Sequence, residues 1–348
     1  MASHELTERE RQVLEAVIRS YVETAEPAGS RTIARRFGLG VSPATIRNTM
    51  SDLEERGFLF HPHTSAGRIP TEKAYRVYVD ALLHVEPIPS QERDRLAIEI
   101  GAGGSAIETI LRRAAQSLGV LTQELGVALG PRLDQTVLER LELVRLTSEK
   151  LILVLSLRGG VVRTIFIEIK GEIADEAIAE VQRVLAERLA GLSLAEIRST
   201  LGTRLRDAAP LGGATELLNI FVQEGEQFFD LPVIPDEDSV VLGQASLLAE
   251  KPEFASGESM KRLLTLTETR THLATLLRNR TASPGVSITI GDEHGSILLG
   301  GLTLVTAEYR AAGLTGVIGV IGPTRMPYEK VISLVGHTSS LVTELLGP

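Results

Sequence analysis

Ser42-Pro43-Ala44-Thr45-Ile46-Arg47-Asn48, followed by Gly57-Phe58-Leu59 and by His61-Pro62-His63-Thr64-Ser65-Ala66-Gly67-Arg68-Ile69-Pro70, is the stretch that decides how this chain folds. Ser42 is placed to accept from a first-turn amide, and Pro43 takes the one helical position where a missing amide proton costs nothing. A helix therefore starts at a fixed place. Ile46, Met50 and Leu53 recur at i, i+4 and i+7, so they form a buried face, while Thr45, Arg47, Asn48 and Ser51 point elsewhere. A helix entering a DNA groove, then a basic, Pro-bracketed wing resting on the adjacent backbone, is the arrangement that these parts describe.

Two earlier helices support it. Thr7 with Glu10 makes a Thr-x-x-Glu capping box, and Val13, Leu14, Val17, Ile18 and Tyr21 give an apolar stripe up to about Thr24. Glu26-Pro27-Ala28-Gly29 predicts a loop, Ser30 an N-cap, and Arg31 to Phe37 a short helix with Ile33, Ala34 and Phe37 inward. Gly38-Leu39-Gly40-Val41 is then the turn before the reading helix. Three amphipathic helices alone would describe any small helical domain; the Gly-rich turn, the capped second helix and the basic segment favour helix-turn-helix. Between Arg31 and Arg76 eight Arg or Lys stand against four Asp or Glu, a local +4 in a chain whose net charge is −9. A basic island in an acidic protein suits a polyanionic partner.

A recognition helix reads base edges with short polar or bidentate side chains near its N-terminus, which selects Ser42, Thr45, Arg47 and Asn48. Arg47 suits guanine and Asn48 suits adenine where they face the groove; a phosphate clamp or an ion pair around Glu54 is the other use for Arg47. On the wing, Arg68 is the candidate for phosphate or minor-groove contact, with His63, Thr64 and Ser65 as neutral donors. Arg31, Arg35 and Arg36 fit a solvated helix face as well as they fit DNA.

The remaining composition sets outer limits. A chain of 348 residues with 43% hydrophobic content can bury a sizeable core and should divide into two or three domains. It contains no cysteine, hence no disulfide or thiolate metal site, which fits a reducing cytosol. Met1-Ala2-Ser3-His4-Glu5 lacks the basic start and apolar core of a leader, and no apolar run approaches the roughly 20 residues that span a bilayer. A cytoplasmic protein without membrane partners is expected. Enzyme motifs are missing: there is no Gly-x-Ser-x-Gly elbow, Walker loop, His-Glu-x-x-His or dinucleotide fingerprint. His61 and His63 have no evident third ligand, Gly291-Asp292-Glu293-His294-Gly295 suits a turn between strands better than an acidic site, and no cofactor or metal is expected.

Beyond the wing, Thr71 can cap a helix to about His84, and Glu86-Pro87-Ile88-Pro89-Ser90 ends the first domain. Helices follow from Ser90 and, past the Gly101-Ala102-Gly103-Gly104 joint, from Ser105 to about Leu125. Strand patterns occupy Thr136 to Leu146, Leu151 to Leu157 and Val161 to Ile169, the last two joined as a hairpin through Arg158-Gly159-Gly160. Ala174 to about Phe229 is helical. Strands return at Ser239 to Leu242 and, after a helix from Ser259 to Leu277, at Val286 to Ile290, Ile297 to Val305 and Gly316 to Ile321, with a last helix after Pro323. A sheet interrupted by helices and then resumed is the pattern of an insertion into an α+β domain.

Thr7-Glu8-Arg9-Glu10, Glu26-Pro27-x-Gly29-Ser30, the run from Ser42 to Glu54, the run from His63 through Thr71 to Asp80, Pro252-Glu253-Phe254 and Gly319-Val320-Ile321-Gly322-Pro323-Thr324-Arg325-Met326-x-Tyr328 together resemble the bacterial heat-inducible transcription repressor family, HrcA. Gly291-Asp292-Glu293-His294 departs from that pattern, and residues 174–238 match it mainly in helical character. The resemblance implies an α+β multidomain protein: a winged-helix DNA-binding domain over 1–88, a GAF-like α/β domain over 89–172 and 258–348, and a mostly helical inserted dimerisation domain over 173–257. It further implies a homodimer on an inverted-repeat operator of chaperone operons, kept active by the chaperonin. A single winged helix touches too few base pairs to select a genomic site, which independently favours a two-fold dimer. The alternatives are a metabolite-sensing winged-helix regulator unconnected with heat and a chaperone-binding scaffold with an incidental basic face.

Overall fold

The structure, a computed structural model, describes residues 6–63, 67–82, 87–102, 107–131, 136–158, 161–169, 173–206, 213–229, 240–278, 285–295, 299–311 and 314–347. Helices α1 (Glu8–Thr24), α2 (Ser30–Phe37) and α3 (Pro43–Glu55) precede a two-stranded antiparallel hairpin of β1 (Leu59–Phe60) and β2 (Ile69–Pro70). Then come α4 (Glu72–Val77), which continues as a π-helical turn over Tyr78–Leu82, α5 (Ser90–Gly101), α6 (Ile107–Thr122) and β3 (Leu125–Leu129). Strands β4 (Leu138–Thr147), β5 (Lys150–Leu157) and β6 (Val161–Glu168) lead into α7 (Asp175–Leu189), α8 (Leu194–Arg206) and α9 (Gly213–Phe228). The chain ends through β7 (Val240–Leu242), α10 (Ser246–Ala249), a 3-10 turn at Pro252–Phe254, α11 (Gly257–Glu268), α12 (Arg270–Arg278), β8 (Val286–Ile290), a 3-10 turn at Gly291–His294, β9 (Leu302–Ala311), β10 (Leu314–Pro323) and α13 (Tyr328–Leu346).

The chain divides into two compact units. The first comprises Met1–Ala128, Val241–Glu308 and Ile318–Leu341, and the second Leu129–Val240, Tyr309–Val317 and Val342–Pro348. In the first unit, α1 starts where Thr7 and Glu10 close their capping box, and it buries Val13, Leu14, Val17 and Ile18. Ile33 of α2, Ile46, Met50 and Leu53 of α3, and Phe58 and Leu59 at the hairpin complete this apolar cluster. Helix α2 begins one residue earlier than its sequence predicts: Gly29 is the cap and Ser30 is the first helical residue. Phe37, expected inward, is half-buried, with the guanidinium groups of Arg19 and Arg36 lying 5.9 and 5.7 Å from its ring centroid.

The sheet order β7-β3-β10-β9-β8 includes one strand that sequence patterning misses. Leu125 to Leu129 is buried at every position, so it lacks the alternation that marks a half-buried strand, and the sequence pattern ends the preceding helix at about Leu125 without assigning a strand there. Backbone proximity turns it into a strand. A Cβ on Gly126 would sit 1.8 Å from the Ala115 carbonyl oxygen of α6, so glycine permits the close packing of strand on helix. The helix expected from Ser259 to Leu277 is two helices, parted at Thr269, and β9 spans Leu302–Ala311, while Ile297, where the sequence pattern begins that strand, lies outside the described residues.

In the second unit, β4, β5 and β6 form a separate antiparallel sheet. The sequence pattern places these strands in one sheet that later resumes; instead they pack with the helical block. Helix α7 lies on β4, where Gln182 Oε1 accepts from Leu143 N at 2.9 Å and Arg145 Nε donates to Asp175 Oδ1 at 2.9 Å. Leu138 N donates to Leu192 O at 2.8 Å, and Leu194 N to Thr136 O at 3.0 Å. Leu141, Leu143, Leu151, Leu153 and Leu155 are buried, whereas Val144, Leu146, Val162 and Phe166 are exposed. The cross-strand row Val144, Ile152 and Phe166 lies in register on that apolar outer face.

Candidate nucleic-acid interface

Helix α3 is set by its first two residues. Ser42 Oγ accepts from Thr45 N at 3.1 Å and lies 3.0 Å from Thr45 Oγ1, and Pro43 opens the helix. Ile46, Thr49, Met50 and Leu53 are buried, which turns Ala44, Arg47 and Asn48 outward as an exposed patch at helical spacing, with Ser51 half-buried beside them. Neither Arg47 nor Asn48 has a side-chain partner among the described residues, and Glu54 is engaged elsewhere. Their donors are therefore open to solvent. Thr45 is half-buried and its hydroxyl is shared with the cap, so Ser42 and Thr45 have fewer groups to present than their positions suggest.

The wing is anchored at both ends. Phe60 pairs with Ile69 across the ladder, and the next residues outward on each strand are His61 and Arg68. Arg68 exchanges two backbone hydrogen bonds with Ala28, N to O and O to N, each 2.9 Å. Gly67 lies so near that loop that a Cβ would come within 2.4 Å of the Ala28 carbonyl, which excludes any side chain there. The Arg68 guanidinium does not project freely: its Nε and Nη2 donate to Glu54 Oε2 at 3.1 and 2.9 Å, and the side chain is 12% exposed. His61 Nδ1 meets the other carboxylate oxygen, Oε1, at 2.6 Å. An ionised carboxylate can only accept, so His61 carries its proton on Nδ1. Partial burial pushes the Glu54 carboxyl up, but the His61 hydrogen bond and the Arg68 charge outweigh this and hold it below the ordinary carboxylate range.

His63 is exposed on the wing, while Thr64 and Ser65 lie outside the described residues. On α2, Arg31 and Arg35 are exposed and Arg36 pairs with Glu23 of α1. Sequence reasoning misses Glu54 as the common partner of His61 and Arg68. The three are seven residues apart in turn, but a helix end and a hairpin lie between them, so that spacing carries no periodic meaning. It also misses the pair in which Arg56 Nη1 donates to Glu10 Oε1 at 2.5 Å, and the Lys73 ammonium placed 4.4 Å from the Phe58 ring centroid. Among the described residues no group of His, Asp and Glu could hold a metal ion, and no helix is long and apolar enough to cross a membrane.

Comparisons with known proteins place the chain beside DNA-binding transcription repressors. Residues 5–81 match the profile described as "Winged helix-turn-helix transcription repressor, HrcA DNA-binding", and residues 108–332 match "HrcA protein C terminal domain". The chain is 39% identical over 359 aligned residues to the heat-inducible transcription repressor HrcA of Chlorobium limicola, covering 99% of each chain. It is 38% identical over 345 residues to the protein of that name from Geobacter sulfurreducens, covering 98% of each. A crystal structure described as that of a hypothetical protein at 2.2 Å resolution shares the fold, with a TM-score of 0.60 at 21% identity over 98% of this chain and 99% of the other.

Proposed function

This chain belongs to the HrcA family of heat-inducible transcription repressors, whose members are DNA-binding repressors and not enzymes, and on that premise we propose that it represses chaperonin and co-chaperone operons. It binds as a homodimer to an inverted-repeat operator in the cytoplasm, assisted by the chaperonin. The observation that carries the reading is the outer face of α3, where Arg47 and Asn48 stand exposed and, among the described residues, unpaired on a capped helix beside an anchored wing. Side chains with free bidentate donors and acceptors are what base-edge readout in a major groove requires. Phosphate contact falls to the neutral donors of the wing, His63 with Thr64 and Ser65, and to the N-terminal groups Ser42 and Thr45.

Dimerisation belongs in this proposal to the second unit, which joins most of the helical block of the inserted domain expected over 173–257 to strands β4 to β6, expected within the GAF-like domain over 89–172. Support comes from the exposed apolar face of β4 to β6, since Phe166, at 63% exposure, and Val162, at 55%, are costly to leave in water. The test is binding of the purified protein to a duplex carrying the inverted repeat of a chaperonin operon, against a scrambled duplex at one stated salt concentration, with and without chaperonin. Specific binding that chaperonin strengthens is expected. Equal weak binding to both duplexes in both conditions would sink the proposal and return the chain to metabolite sensing or scaffolding.

A further inference from the structure

We propose that Glu54 is a positioning residue of the DNA interface, holding both stems of the wing against the recognition helix, and that Arg68 acts through Glu54 and not on DNA. This rests on the DNA-binding function proposed above and goes one step into its machinery.

The wing needs an external brace. Its ladder has only two residues on each strand, Leu59 opposite Pro70 and Phe60 opposite Ile69, and an isolated hairpin of that length is not stable in water. Its angle to α3 must therefore be set by contacts outside the ladder. The Ala28 bridge fixes the Arg68 backbone, and Glu54 adds a side-chain brace from the last turn of α3, one oxygen to each stem: Oε1 to His61, immediately after β1, and Oε2 to Arg68, immediately before β2. One carboxylate thus spans the base of the wing and ties it to the helix that carries Arg47 and Asn48.

Arg68 is built for that task. Its backbone is bridged to Ala28, its neighbour Gly67 is wedged against the same loop, and its guanidinium is largely covered. Turning it toward a phosphate would strip Glu54 of one of its two partners in a half-buried place, where an under-paired carboxylate is destabilising. Among the described residues the side chains that meet the Glu54 carboxylate are His61 and Arg68, so removing either leaves it with one partner. Exposed His63 and the α3 patch are then left to touch the nucleic acid.

The experiment is a double-substitution cycle on the full chain: wild type, Glu54→Ala, Arg68→Ala and the two combined. Each is titrated on the inverted-repeat duplex and on a scrambled duplex across a salt series, with hydroxyl-radical footprinting of the bound operator. Circular dichroism in the binding buffer confirms that each variant is folded, which separates misplacement of the wing from unfolding. The expected result is a loss of about tenfold in operator affinity for each single variant, no further loss in the double, and disappearance of backbone protection beside the groove while base preference under α3 survives. The overturning result is a Glu54→Ala protein that binds as tightly as wild type or tighter, beside an Arg68→Ala protein weakened on both duplexes with a salt slope smaller by about one. Equal additive losses in the cycle would also overturn it. A wild type that does not distinguish the two duplexes would overturn the DNA-binding function itself, a different failure from a wild type that does distinguish them and a Glu54→Ala variant that matches it.

Discussion

Arg47 is exposed on α3 with no partner among the described residues, so truncating it removes no contact seen there. Arg47→Ala should leave unfolding unchanged and relax preference at one base position, with a loss of about 1 to 3 kcal/mol there. Titration on duplexes altered one base pair at a time would show this; equal loss on operator and scrambled DNA would remove Arg47 from the role of reader. Ser42 is committed differently, because its hydroxyl accepts from Thr45 N and fixes the start of α3. Ser42→Ala should lower stability by about 1 kcal/mol, seen as a lower urea midpoint with an unchanged slope. The cap at Ser42 was legible in the sequence, since it depends on atoms three residues apart. The pairing of Glu54 with His61 and Arg68 was not, because it exists only after the chain turns back on itself.

Elements differ in how much of themselves they announce. Helices α1 and α3 carry caps and an i, i+4 stripe; both start where their caps put them, and α1 ends at Thr24 as its stripe predicts. Strand β3 carries neither, since all five of its residues are buried. What distinguishes it is Gly126, whose missing side chain admits the Ala115 carbonyl of α6, and Gly243, whose N donates to Gly126 O at 2.8 Å. Gly126→Ala should destabilise by about 3 kcal/mol or prevent folding, because the atom that obstructs the new Cβ is backbone and cannot swing aside. Gly243→Ala is the milder comparison, its Cβ meeting the same carbonyl at 3.0 Å. Equal guanidinium midpoints for the two variants would contradict the tight packing of α6 on β3.

Within the first unit the winged helix is tied to the C-terminal half of the chain. Arg325 donates to Val22 O of α1 at 2.9 Å and holds Glu253, Arg76 donates to Ile288 O at 3.0 Å and to Glu293, and Tyr78 Oη donates to Glu329 at 3.0 Å. Beneath these lies Glu124, fully buried against Lys251, its Oε2 without a hydrogen-bond partner among the described residues. Burial pushes this carboxyl up to about 7, with Lys251 only partly opposing it. A raised carboxyl means that between about pH 4.5 and 7 the folded protein keeps a proton that the unfolded chain has released. Its contribution therefore favours folding below that window and is lost as pH rises through it, by at most about 3 kcal/mol. Glu54, held low, acts in the opposite sense: its contribution is present above the ordinary carboxylate range and is lost as pH falls through its own lowered value. Glu124→Gln should flatten the fall in urea midpoint between pH 5 and 8, and an unchanged profile would show that Glu124 is ionised throughout. By itself the sequence determined the helix-turn-helix, the wing and the outward face of α3, because caps, prolines and helical period act over a few residues. Tertiary structure alone decided that β4 to β6 form their own sheet, that β3 is a strand, that a buried carboxylate sits under the paired arginine, and that Arg68 faces Glu54, because each depends on backbones and charges brought together from distant parts of the chain.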